Sequence, residues 1–137
     1  MKEKYKKFFL DMAVNVSSLT YCKKRKVGAI IVKNNNIISM GYNGTLPGAD
    51  NDCEDEDGKT KPTVIHAEEN AILHLVRNGG TGIEGAAMFC SCSPCINCAR
   101  LIVNSGIKEF YYVHEYKSSS GLRFLQENGV KVEKGWR

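Results

Sequence analysis

His66-Ala67-Glu68 and, further along, Pro94-Cys95-Ile96-Asn97-Cys98 hold the side chains with the most chemistry in this sequence. An imidazole and two thiols are donors that zinc prefers, and a set of three leaves a tetrahedral ion one position for water. Cys95 and Cys98 are spaced i and i+3, so within one helical turn both reach a single ion. Glu68, two residues from the histidine, stands where a carboxylate takes protons from that water. Water on such an ion falls from a pKa of about 15.7 to about 7, which gives hydroxide at neutral pH. These residues predict a catalytic Zn2+ held by His66, Cys95 and Cys98, with Glu68 as the proton carrier.

Plainer assignments compete with this one. A closed structural site would use Cys90 or Cys92 as a fourth ligand, and Glu68 would then be an ordinary first-turn charge beside Glu69. An even count of six cysteines also invites disulfides. Nothing points to export, and reducing cytosol disfavours such bridges. Cys22, Cys53, Cys90 and Cys92 are therefore expected as small packing residues, with a second metal site using Cys22 or Cys53 left open. His74 lies two turns into the helix that begins at His66 and reads as a packed or surface histidine; nothing demands a role for His114.

The elements that must position these groups follow from periodicity. Tyr5, Phe8, Phe9, Met12, Ala13, Val16 and Leu19 have helical spacing and predict a helix over 3–20. A buried strand over 27–32, a turn at Asn34-Asn35-Asn36 and a partner strand over 37–42 read as a hairpin. Residues 43–63 have little periodicity and predict a long loop, the kind that is functional or disordered in a compact domain. A helix is expected from about His66, ending at Asn78-Gly79-Gly80, then a strand over 85–90. Ser93 as cap and Pro94 in the first turn open the next helix, which stops at Gly106. A strand over 109–113, a helix over 119–127 and a short strand over 130–132 complete the chain. Strands alternating with helices imply a three-layer α/β/α sandwich around a mixed sheet of about five strands, as one domain over 1–137. Both ligand clusters fall at helix N-termini, where exposed N–H groups favour thiolate over thiol.

The 137 residues, 42% hydrophobic and 25% charged, suit a soluble globular protein, and no apolar run approaches the roughly 20 residues of a membrane span. Glu3 and Asp11 interrupt the lysine-rich start and no small-residue cleavage site follows, so a cytoplasmic protein is expected. A net charge of +4 is a mild bias toward anionic partners and falls short of a nucleic-acid footprint. The distribution says more than the sum: Lys23-Lys24-Arg25-Lys26 is a basic run, whereas residues 50–57 are strongly acidic.

The spacing H-x-E followed by P-C-x-x-C is the signature of zinc nucleobase deaminases. Beyond it, residues 22–32, Gly41-Tyr42-Asn43-Gly44, His66-Ala67-Glu68-Glu69-Asn70-Ala71-Ile72, residues 93–99 and the segment 112–116 resemble the deoxycytidylate (dCMP) deaminases of the small phage or bacterial type. The resemblance runs from about residue 8 to 132. It implies hydrolysis of dCMP to dUMP and ammonia, feeding dTMP synthesis in the cytoplasm (the host's, if viral). It implies that the Ala67 backbone and Asn43 hold base and sugar, that Ser93 borders the substrate, and that Tyr116 stacks on the pyrimidine. A homo-oligomer, with a hexamer favoured, is implied too. So is regulation by dCTP with Mg2+ as activator and dTTP as inhibitor, through Gly41, Tyr42 and Gly44, with Asp50 or Glu54 aiding a magnesium-bound triphosphate. Here the segment continues Thr45-Leu46-Pro47-Gly48, with the proline displaced from the family's position, which leaves the effector response open.

A nucleotide substrate needs a place for its phosphate. Arg25 offers a forked donor and Lys26 a point charge, against the alternative of a merely solvated basic turn. Rival functions are a deaminase of free cytidine, guanine or transfer-RNA adenosine, and a non-catalytic zinc-binding module. The acidic stretch disfavours an RNA backbone.

Overall fold

Residues along the central strands alternate between two apolar sets, and that alternation fixes the layers. The computed structural model describes residues 1–135. Its elements are α1 (Glu3–Ser17), β1 (Gly28–Lys33), β2 (Asn36–Tyr42), α2 (Ala67–Arg77), β3 (Ala87–Cys92), α3 (Ile96–Ser105), β4 (Glu109–His114), α4 (Ser120–Glu127) and β5 (Lys131–Lys134). One five-stranded sheet has the order β2-β1-β3-β4-β5. β1 is antiparallel to both β2 and β3, while β3, β4 and β5 run parallel. This is the expected mixed sheet.

Ala29, Ile31, Met88, Cys90, Phe110 and Tyr112 point to one face and pack against Ala67 and Ala71 of α2, Ala99 and Ile102 of α3, and Leu125 of α4. Their neighbours Ile30, Val32, Ala87, Phe89, Tyr111 and Val113 point the other way, onto Phe9, Leu10, Ala13 and Val16 of α1. The period of two puts one helix on one face and three on the other. The β1–β2 turn places Asn34 and Asn35 at φ of 51° and 62°, a left-handed pair that asparagine tolerates. The first helix ends at Ser17, short of the expected residue 20. The hydroxyls of Ser17 and Ser18 donate to the carbonyls of Val14 and Asn15, which competes with continuing the helix. Among the described residues no helix is long and apolar enough to cross a membrane.

The seating of α2 on β2 matters most for the site. The Ser39 hydroxyl donates to the Ala71 carbonyl at 2.6 Å, and the Asn70 amide donates to the Tyr42 carbonyl at 2.8 Å. Between them lies Gly41, where an added Cβ would come within 2.4 Å of the Ala71 nitrogen and 2.7 Å of the Ala67 oxygen. Only hydrogen fits. Gly41→Ala should therefore destabilise the fold by about 1–3 kcal/mol, the usual size of overpacking, read as a lower urea midpoint. An unchanged midpoint would mean that α2 shifts at no cost.

The segment between β2 and α2 is ordered by its own contacts. Gly44 bridges to Ile65 and Glu54 to Thr60. Cys53 comes within 5.2 Å of Cys22 (Cα to Cα) in a disulfide, and the pair forms a small apolar cluster with Val64. This corrects the expectation of free packing thiols. The long loop folds back onto the chain before β1, a return that no local pattern in the sequence reveals.

Candidate active site

His66 is the N-cap of α2 and Cys95 the N-cap of α3, so both ligand clusters sit at helix starts. The capping expected of Ser93 is performed instead by Cys95, whose sulfur accepts from the Cys98 N–H at 3.5 Å. Ser93 faces the other way: its hydroxyl accepts from the Tyr116 N–H at 2.6 Å, and its own N–H donates to the His114 carbonyl at 2.8 Å. Its observed work is to fix the chain after β4, and with it Tyr116.

The donor atoms fit a zinc ion. His66 Nδ1 lies 3.2 Å from Cys98 Sγ and 3.6 Å from Cys95 Sγ, and all three atoms lie within 4.8 Å of one another. Tetrahedral zinc with Zn–N near 2.0–2.1 Å and Zn–S near 2.3 Å requires N···S of about 3.6 Å and S···S of about 3.8 Å. Among the described residues this is the one such cluster of three donors. Cys90 is buried in the core, and Cys92 accepts from the Arg25 guanidinium at 3.6 Å, so neither thiol joins the cluster. His74 is occupied with the Met40 carbonyl at 2.9 Å.

The electrostatics match the donor chemistry. A hydrogen bond from the Cys98 thiol holds Cys95 down to about 3, with His66 adding to the effect. The same bond pushes Cys98 up, and the bond to Cys95 raises His66. A metal ion bound by these groups would displace their thiol protons. Glu68, only 5% exposed, is pushed up to about 7 by burial, against the opposing pull of His66. A carboxyl held there gives and takes protons near neutrality.

These groups open into a cavity of about 560 Å³, a size that suits a small ligand. Arg25, Asn43, Ala67, Ser93 and Tyr116 all line it alongside His66, Glu68 and Cys95. Asn43 is buried, and its amide clamps the backbone: Oδ1 accepts from the Val27 N–H at 2.9 Å and Nδ2 donates to the Arg25 carbonyl at 2.7 Å. The Arg25 guanidinium lies over the Tyr116 ring at 4.5 Å. Lys26 turns away, its ammonium donating to the Cys22 carbonyl at 2.9 Å and the Thr20 carbonyl at 3.4 Å. Gly41, Tyr42, Gly44, Asp50 and Glu54 are not among the lining residues.

Lys59, Thr60 and Lys117 line the cavity without having been expected there. Lys117 simply follows Tyr116. For Lys59 the Asp57-Gly58 pair is a turn signal, but nothing in the sequence says which way that turn faces.

Residues 3–114 match the family model described as the cytidine and deoxycytidylate deaminase zinc-binding region. The deoxycytidylate deaminase of Saccharomyces cerevisiae is 32% identical, over 96% of this chain and 45% of its own length. This chain thus spans less than half of that relative. The deoxycytidylate deaminase of Enterobacteria phage T4 is 36% identical, over 90% of this chain and 86% of its own. Among solved structures, the dCMP deaminase of cyanophage S-TIM5 in complex with dCMP and dUMP superposes with a TM-score of 0.95 at 43% identity. It covers 98% of this chain and 99% of that one.

Proposed function

The chain belongs to the cytidine and deoxycytidylate deaminase family, and we propose that it hydrolyses dCMP to dUMP and ammonia. The observation that carries the reading is one cavity that meets a three-donor cluster through His66 and Cys95 and is lined by a buried carboxyl near neutral pKa and by four cationic side chains. The relatives named deoxycytidylate deaminase in yeast and phage T4 support it.

Zinc held by His66, Cys95 and Cys98 supplies acidity to the attacking water when it is bound. Glu68 takes the first proton from that water and delivers it to N3 of cytosine while the oxygen bonds to C4. It then moves the second proton to the 4-amino group, the C4–N bond breaks, and ammonia leaves a C4 carbonyl behind. Water's two protons end on N3 and on ammonia, so the carboxylate returns unchanged. The Ala67 backbone borders the base. Asn43 has a second amide hydrogen for the sugar, because one donor is already spent on Arg25. Tyr116 presents one ring face to Arg25, and its opposite face would take the pyrimidine. Arg25, so stacked, spends one donor on Cys92 Sγ and has the rest of its fork for the phosphate.

Turnover of dCMP compared with deoxycytidine, cytidine, guanine and a transfer-RNA stem-loop tests the assignment. A clear preference for dCMP is expected, and equal turnover of deoxycytidine would defeat the phosphate part. Assembly as a homo-oligomer, with a hexamer favoured, and regulation by dCTP with Mg2+ and by dTTP rest on the resemblance of segment 41–44. Because Gly41, Tyr42, Gly44, Asp50 and Glu54 stand off the cavity, effectors acting there should change dCMP kinetics without competing for Arg25. Rates with and without each nucleotide, together with sedimentation, check both points.

A further inference from the structure

The cavity is lined by four cationic side chains, Lys24, Arg25, Lys59 and Lys117, and by a single carboxyl, Glu68. Among the described residues none of the four has an ion-pair partner. The cations beside them that face elsewhere are committed. Lys26 is held by two carbonyls, and Lys61 pairs with Asp50 at 3.6 Å. Cations without an ion-pair partner are therefore concentrated in the lining of the cavity.

Lys59 owes its position to a built turn. The Asp55 carboxylate accepts from the N–H groups of Asp57 and Lys59, each at 2.9 Å. Its backbone accepts from the Gly58 N–H at 2.9 Å and donates to the Lys59 carbonyl at 2.7 Å. Gly58 closes the turn at a φ of 76°, with the Lys24 ammonium only 3.7 Å from where a Cβ would stand. The Lys61 N–H donates to the Cys53 carbonyl at 2.8 Å, and the Cys22–Cys53 link ties the base of the turn to the segment carrying Lys24. At least one acid of the acidic stretch thus builds a scaffold that delivers a lysine to the cavity.

We propose that the turn over 55–59 is a phosphate clamp, in which Lys59, with Lys24 and Lys117 beside it, takes the 5′-phosphate of the nucleotide. This rests on the dCMP reading above and adds the element that selects a nucleotide over a nucleoside. Lysine supplies a mobile point charge, which complements the fixed fork of Arg25.

The test is steady-state kinetics of Lys59→Gln, Lys59→Arg and Lys61→Gln on dCMP and on deoxycytidine at fixed ionic strength. Lys59→Gln should raise the KM for dCMP about tenfold or more, the size of a lost hydrogen bond between charged groups. It should leave kcat near wild type and deoxycytidine kinetics unchanged. Lys59→Arg should recover most of the loss, and Lys61→Gln should match wild type. An unchanged KM for dCMP in Lys59→Gln, or equal losses on both substrates, would overturn the clamp. If wild-type protein itself shows no preference for dCMP over deoxycytidine, the dCMP reading fails first; if it does and Lys59→Gln behaves like wild type, only the clamp fails.

Discussion

Glu68→Gln is expected to lower kcat on dCMP by about 10²–10⁴-fold, the range of general acid–base catalysis, while zinc stays bound. Glutamine keeps the shape of the buried side chain and removes only its ability to carry a proton. His66, Cys95 and Cys98 are untouched, so zinc content and fold should match wild type. The metal-free protein offers a second readout. Burial raises the folded pKa of Glu68 to about 7 from a usual value of 4.5. The stability tied to that group is complete below the unfolded value and is lost as pH rises through the folded one. Relative to wild type, metal-free Glu68→Gln should therefore gain stability between about pH 4.5 and 7, where the carboxyl charges in the unfolded chain while the buried one stays protonated. Undiminished turnover in the variant would remove Glu68 from the reaction.

The second large effect concerns the thiols. Cys95→Ser or Cys98→Ser replaces a soft thiolate with a hydroxyl that stays protonated at neutral pH, so zinc affinity should collapse. Turnover should fall with it, on the order of 10³-fold, since a metal's contribution of several kcal/mol counts about tenfold per 1.4 kcal/mol. Two physical readouts accompany the loss: elemental analysis should find the variants depleted of zinc, and added zinc should no longer raise their melting temperature. Cys92→Ser is the informative comparison. Its thiol meets Arg25 and stands outside the donor cluster, so that variant should keep its metal. Zinc loss from Cys92→Ser would instead indicate a closed site with four protein ligands.

Much of this architecture is legible in the sequence because local physics writes it there. The unbroken apolar run from Ala29 to Val32 marks a strand buried on both faces, and the helical spacing from Tyr5 to Val16 marks a helix buried on one. The metal donors are legible for a similar reason, since Cys95 and Cys98 share one turn and His66 starts another helix. What escaped depends on contacts across the fold. The link between Cys22 and Cys53 and the aim of Lys59 are set by a loop without periodicity that returns onto the chain before β1. Ser93 looked like a cap because serine usually is one. Here the sulfur of Cys95 takes that N–H, and the hydroxyl is free to hold Tyr116.

The central claim is that one zinc site and one proton carrier remove the 4-amino group of dCMP. Its most direct measurement follows dUMP and ammonia together while wild-type protein turns over dCMP, before chelation, after it, and after zinc is restored. Equimolar dUMP and ammonia, with turnover that stops on chelation and returns with zinc, is the predicted result. Either dCMP left intact by zinc-loaded protein, or a rate indifferent to zinc removal, would contradict the account.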